Sequence, residues 1–226
     1  MVSLYNYGMS DKKPLLIDVN TIVKLKPRKS DRTRTAILNA ALEFLWTHPF
    51  RDMTVAELMS ITGIGRSAFY QYFKDLYEPM ETLLQGVAEA IHSAAKPWFD
   101  GDGEATVLLQ QSLSDLVDVC YERGPILRAV AEASTTDERL ERAWEEFLCQ
   151  FDDVVSDQIE KHQEAGLIPQ FDARPVAVAL NRLDASLLID AFGRHPRSNP
   201  EPVREAITRI WMSTLYQSTY IPKSEI

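Results

Sequence analysis

Arg66, Ser67, Tyr70 and Gln71 stand at i, i+1, i+4 and i+5 of a short segment that also carries the apolar Ala68, Phe69 and Phe73. Wound as a helix, the segment packs its apolar set inward and leaves the other four together on the exposed side. These side-chain types suit duplex DNA. Arginine can donate two hydrogen bonds to guanine, glutamine can pair with adenine, and a tyrosine ring can lie on a thymine methyl. Tyr72 and Lys74, at the end of the segment, are better placed for phosphate. Thr54 opens the preceding helix, where the helix dipole helps it reach phosphate.

So short a helix needs a frame to hold it. Thr54-Val55-Ala56-Glu57 is a capping-box pattern, in which the Thr oxygen takes the Glu57 amide and the carboxylate reaches back. Gly63 ends the helix it opens. Upstream, Ile37, Ala40, Ala41, Phe44 and Leu45 recur at helical spacing from Asp31 and stop at His48-Pro49. Three helices with Ile61-Thr62-Gly63-Ile64 as the turn make a helix-turn-helix unit, which places its last helix in the major groove.

Charge divides the chain in the same place. The net charge is −9, yet residues 1–76 carry eleven Lys or Arg against seven Asp or Glu, a net of +4. The other 150 residues hold 13 basic and 26 acidic groups, a net of −13. The first region can hold a polyanion and the second is repelled by one. Residues 1–30 form a basic arm with a strand-like stretch from Leu15 to Lys26. Its Arg28 and Lys29 are candidates for DNA contact, since such arms often enter the minor groove. A solubilising tail is the other reading of the arm.

Several classes of protein are excluded. Hydrophobic residues at 45% and charged residues at 25% match a globular chain rather than a disordered one. No run approaches eighteen apolar residues, so no membrane helix is expected. Asp11, Lys12, Lys13 and Asp18 interrupt any secretory signal, which leads to the expectation of a cytoplasmic protein. Cys120 and Cys149 lie in apolar helical surroundings and read as buried, inert thiols. The four histidines are scattered without metal-ligand spacing, and no glycine-rich phosphate loop or nucleophile motif is present. No enzyme activity, metal site or cofactor is expected.

Beyond the frame the chain reads as all-α. Asp75 can cap a fourth helix, closed by Pro97, that links residues 31–76 to a larger unit spanning 77–226. Helices follow near 104–123, 125–134 and 137–165, the last carrying a clean stripe that includes Leu140, Trp144, Phe147 and Phe151. Gly166 and Pro169 end it. Asp172 and Asn199 are expected N-caps for two last helices, near 173–192 and 200–220. These two carry apolar residues on more than one face, including Val176, Leu183, Leu187, Ile207 and Ile210. Such helices can face both their own core and a second copy, so a homodimer through a four-helix interface is expected.

Thr35 to Phe73, with AILNAALEFL and then PFRDMTVAELMSITGIGRSAFYQYF, closely resembles the DNA-binding domain of TetR-family transcriptional regulators. Ala179-Leu180-Asn181 and the last helix, through Ile210-Trp211-Met212, are similar to the mycobacterial EthR-type repressors. Two positions depart from the pattern. Gly65 replaces the usual Ser or Thr cap, and Leu76 replaces a phosphate-binding lysine. The resemblance implies a DNA operator as partner and a mostly apolar small-molecule effector.

Leu109, Leu116, Trp144, Phe147, Phe151 and Trp211 are core residues by default, and the resemblance implies that some line a ligand cavity. Asn181 and Asp184 share one face of an otherwise apolar helix. They either orient a ligand or pair across the dimer interface. A helical interaction protein that uses the first unit to bind a protein partner remains the alternative.

Overall fold

The computed structural model describes residues 29–217, among which there are seven α-helices, two short 3₁₀ helices and no strand. The α-helices are α1 (Lys29–Leu45), α2 (Val55–Thr62), α3 (Tyr77–Asp100), α4 (Ala105–Ala133), α5 (Glu138–Glu164), α6 (Ala173–Phe192) and α7 (Pro200–Leu215). The strand-like stretch expected at 15–26 lies outside the described residues.

The first unit is built as its sequence predicts. Ile37, Ala41, Leu45, Leu58 and Phe69 are buried together, so α1, α2 and the segment after them share one core. Both halves of the capping box are formed. The Glu57 amide donates to Thr54 Oγ1 at 3.2 Å, and the Thr54 amide donates to Glu57 Oε2 at 3.1 Å. Gly63 ends α2 in the left-handed region at φ +66°, where a side chain would be strained. Arg66–Gln71 is a 3₁₀ helix, tighter than the α-helix its apolar spacing predicts, and Gly65 provides no side-chain cap for it.

In the larger unit α4 is the central helix and packs against α1, α3, α5, α6 and α7. The sequence predicts a break at Gly124-Pro125, but the helix runs through it. Proline lacks an N–H, so it leaves the carbonyl four residues back without its helical donor. Here Arg197 Nη1 donates to that Tyr121 carbonyl at 2.6 Å, and the guanidinium carbon lies 3.7 Å from the centre of the Tyr121 ring.

Gly124 is needed for a different reason. A Cβ at this position would sit 2.5 Å from the Phe192 carbonyl oxygen of α6. Gly124→Ala should therefore force two helices apart and cost about 1–3 kcal/mol. Urea unfolding will show this as a lower midpoint; an unchanged midpoint would mean that the crossing is looser than this.

Pro97 does not close α3 either, since the helix continues to Asp100. Ser112 Oγ accepts the Trp98 amide at 3.1 Å and donates to the Ala95 carbonyl at 3.3 Å, which supports the backbone beside the proline. Two further expectations are corrected. Asp172 makes no side-chain cap, whereas Asn199 does, accepting from the Glu201 amide at 3.1 Å. The last helix ends at Leu215 rather than near 220. Tyr216 is held by Trp98 Nε1 at 3.0 Å and by His162 Nδ1 at 2.7 Å, and Gln217 turns to φ +52°.

Three arginines fix the first unit to the second. Arg128 of α4 is buried and donates through Nη2 to the carbonyl of Leu45 (2.8 Å), which α1 leaves free at its end, and to that of His48 (3.0 Å) in the loop beyond. Arg139, in the first turn of α5, holds Glu81 through two nitrogens at 2.5 and 2.7 Å and Asp75 through a third at 3.0 Å. Arg34 of α1 lies over the Phe73 ring at 5.2 Å and donates to Thr82 Oγ1 on α3 at 3.3 Å.

Candidate nucleic-acid interface and internal cavity

Buried Phe69 and Phe73 orient the recognition segment. With those rings inside, Arg66, Ser67, Tyr70 and Gln71 are all exposed on one short stretch. Tyr70 is 58% exposed, an unusual position for so large a ring, and its edge rests against Phe69 at 5.4 Å. Lys74 and Thr54 are exposed on the flanks. Tyr72 is half-buried and packs against the core, so its ring belongs partly to the frame. The carboxylate of Asp75 accepts the Tyr77 and Glu78 amides at 3.0 and 3.2 Å, the capping role expected of it. Arg28 lies outside the described residues, and so does the side chain of Lys29, the first residue of α1.

A cavity of about 90 Å³ lies in the larger unit, among α3, α4, α5, α6 and α7. The side chains singled out in the sequence meet here. Leu109 and Leu116 reach it from α4, Trp144, Phe147 and Phe151 from α5, Asn181 and Asp184 from α6, and Trp211 from α7. Trp144 stacks on Phe147 at 5.3 Å, and Phe151 meets Phe147 edge-on at 5.2 Å. Trp98, Phe99, Ser112 and Cys120 also line the wall. The sequence reading missed Trp98 and Phe99 because it ended the helix at Pro97; their aromatic types were the available signal.

The polar groups of the wall differ in how far they are satisfied. Ser112 is engaged with the α3 backbone. Asn181 Nδ2 donates to Asp152 Oδ1 at 2.9 Å, and Arg182 also pairs with that buried carboxylate at 2.9 Å. The shared face of Asn181 and Asp184 is thus divided, because the donor of Asn181 is held within the fold. Asp184 is buried. Its Oδ2 accepts from Trp211 Nε1 at 3.0 Å, and its Oδ1 has no hydrogen-bond partner. Among the described residues, no Arg, Lys or His lines the cavity wall.

Burial raises the Asp184 carboxyl from 3.8 to about 8, with the Trp211 hydrogen bond opposing the rise. Burial also pushes the neighbouring Cys120 thiol up to about 12. Because the carboxyl holds its proton more tightly in the folded chain than in the unfolded one, folding is favoured at low pH. That stability is lost as pH rises from about 4 towards 8, at up to ~1.4 kcal/mol per pH unit. Between pH 6 and pH 8 the urea midpoint of the wild type should fall more than that of Asp184→Asn. Equal falls in the two proteins would show that Asp184 is not the group responsible. Cys149, expected to be buried, is exposed; it lies on the outer side of α5, away from Phe147 and Phe151.

Comparison with known proteins agrees with this architecture. The family described as bacterial regulatory proteins of the tetR family matches residues 37–75, and the C-terminal domain of the transcriptional regulator EthR matches residues 109–217. The HTH-type transcriptional regulator EthR of Mycobacterium tuberculosis is 26% identical over 197 residues, covering 84% of this chain and 90% of its own. Among solved structures, a Rhodococcus TetR-family regulator has a TM-score of 0.67 at 19% identity, covering 78% of this chain and 95% of its own. NalD of Pseudomonas aeruginosa, the secondary repressor of the MexAB-OprM multidrug efflux pump, also has a TM-score of 0.67 at 19% identity, covering 84% and 98%.

The helix-turn-helix frame and the cavity-bearing helical unit define a DNA-binding transcriptional regulator, and the chain belongs to the TetR family. Within that family it is of the EthR-like type, since its second unit matches the EthR C-terminal domain. Its relatives are transcriptional regulators rather than enzymes. No helix of the described residues is long and apolar enough to cross a membrane.

Proposed function

We propose that the chain is a cytoplasmic, homodimeric repressor that binds a pseudo-palindromic operator and is released from it by a mostly apolar small molecule. The continuity of α4 carries this reading. Leu127 lines the cavity, and the next residue, Arg128, holds the carbonyls of Leu45, the last residue of α1, and of His48 just beyond it. A ligand that shifts α4 therefore shifts the recognition frame with it. Helix α3 provides a second connection, from Asp75 beside the recognition segment to Trp98 and Phe99 in the cavity wall.

In this reading Arg66, Ser67, Tyr70 and Gln71 read base edges, while Thr54, Tyr72 and Lys74 hold phosphates. Arg28 and Lys29 add contacts from the arm. One such unit reads only a few base pairs, so two must bind about 34–36 Å apart on successive turns. Helices α6 and α7 of two copies supply the dimer interface, and Val176, Leu183, Leu187 and Ile210 remain incompletely buried within one chain. Effector binding about a hundredfold tighter to the form that does not fit DNA shifts the balance by roughly 2.7 kcal/mol.

The test is selection from randomised duplexes with sequencing, at two salt concentrations. A palindrome should be enriched, with affinity falling steeply as salt rises. No enrichment at either salt would instead favour a helical protein that binds a protein partner through its first unit.

A further inference from the structure

We propose that the cavity selects a protonated, otherwise apolar amine, and that Asp184 sets this preference. The inference rests on the reading of the cavity as the effector site and names the chemistry of what enters it. Three observations point the same way. Of the polar side chains in the wall, Ser112 and the Asn181 amide nitrogen are already bonded within the fold, whereas Asp184 Oδ1 is buried without a partner. A buried acceptor left unpaired is costly, so a ligand that brings a donor gains the full benefit of pairing it.

The second observation is the charge of the wall. Among the described residues the wall holds no Arg, Lys or His to pair with a ligand carboxylate or phosphate, whereas Asp184 can ionise against a cation. The third is the company the carboxyl keeps. Trp211 donates to its other oxygen, and Trp98 meets Trp211 edge-to-face at 5.8 Å, so the carboxyl lies beside indole rings. That hydrogen bond occupies Oδ2 with the edge of the Trp211 ring and leaves Oδ1 as the oxygen open to a ligand donor. The leucine, phenylalanine and tryptophan side chains of the remaining wall take up the apolar part of the ligand. Carboxyl and ammonium then pair without any covalent step. The proton that Asp184 carries before the amine binds passes to solvent as the ion pair forms.

The experiment compares three short probes of matched length on the full chain: hexylamine, hexan-1-ol and hexanoate, titrated against wild type and Asp184→Asn by isothermal calorimetry. Hexylamine should bind wild type at least about tenfold more tightly than hexan-1-ol, with hexanoate weakest. In Asp184→Asn hexylamine should bind no more tightly than hexan-1-ol. Circular dichroism establishes that the variant is folded, and the comparison of probes on wild type stands without it. Binding of hexan-1-ol as tight as that of hexylamine to wild type would overturn the proposal and leave the cavity as an effector site. So would a variant that keeps its amine preference. If none of the three binds, the effector-site reading falls, and the proposal falls with it.

Discussion

Arg66→Ala should lower operator affinity by about thirtyfold or more while leaving the fold intact. In the proposed homodimer the size follows from symmetry, because the side chain is presented twice. A bidentate contact from arginine to guanine is worth about 1–3 kcal/mol, so two lost contacts remove roughly 2–6 kcal/mol. The fold should tolerate the change, since Arg66 is exposed at the start of the recognition segment and the buried Phe69 and Phe73 that seat this segment are untouched. Lys74→Ala provides the contrast. As a phosphate contact it should weaken binding to operator and scrambled duplex alike and reduce the salt dependence, whereas Arg66→Ala should erase the difference between the two duplexes. Fluorescence anisotropy with both duplexes separates these outcomes. Unchanged operator affinity in Arg66→Ala would remove this residue from the interface.

Trp211→Ala should have the largest effect on stability. The indole is buried, lies edge-on to Trp98, lines the cavity wall and donates the hydrogen bond that Asp184 Oδ2 receives. Removing a buried tryptophan costs about 3–5 kcal/mol, and the site already contains a cavity that the lost volume would enlarge. Trp211→Phe isolates the hydrogen bond. It keeps most of the ring but leaves both oxygens of a buried carboxyl without a donor, a loss of about 1–3 kcal/mol. Urea unfolding at one fixed protein concentration measures both variants, because the midpoint of the proposed homodimer would depend on concentration. A Trp211→Ala variant within about 1 kcal/mol of wild type would mean that the cavity collapses around the loss.

How much the sequence revealed depends on the distance over which each feature is decided. The Thr54–Glu57 capping box, the Gly63 turn and the inward Phe69 and Phe73 are settled within a few residues, and each is legible in the local sequence. The opposed charges of residues 1–76 and 77–226 were equally plain. The aromatic stripe of α5 and the apolar faces of α6 and α7 followed from helical periodicity alone.

The errors have a common cause. Pro97 and Pro125 read as helix ends because proline removes a local donor, yet both helices continue where a distant side chain supports the backbone. Ser112 does so beside Pro97, and Arg197 takes the Tyr121 carbonyl that Pro125 leaves free. Cys149 was misread because a helix in an apolar stretch still has an outer face, and which face that is depends on its neighbours. Asn181 and Asp184 look equivalent in the chain. Only packing commits the first to Asp152 and leaves one oxygen of the second unpaired in a cavity. The sequence by itself determined the DNA-reading frame and the all-helical character of the rest, since both follow from short-range spacing and charge. Tertiary structure alone decided where the cavity lies, which polar atom within it is free and how α4 joins it to α1, because those contacts connect residues far apart in the chain.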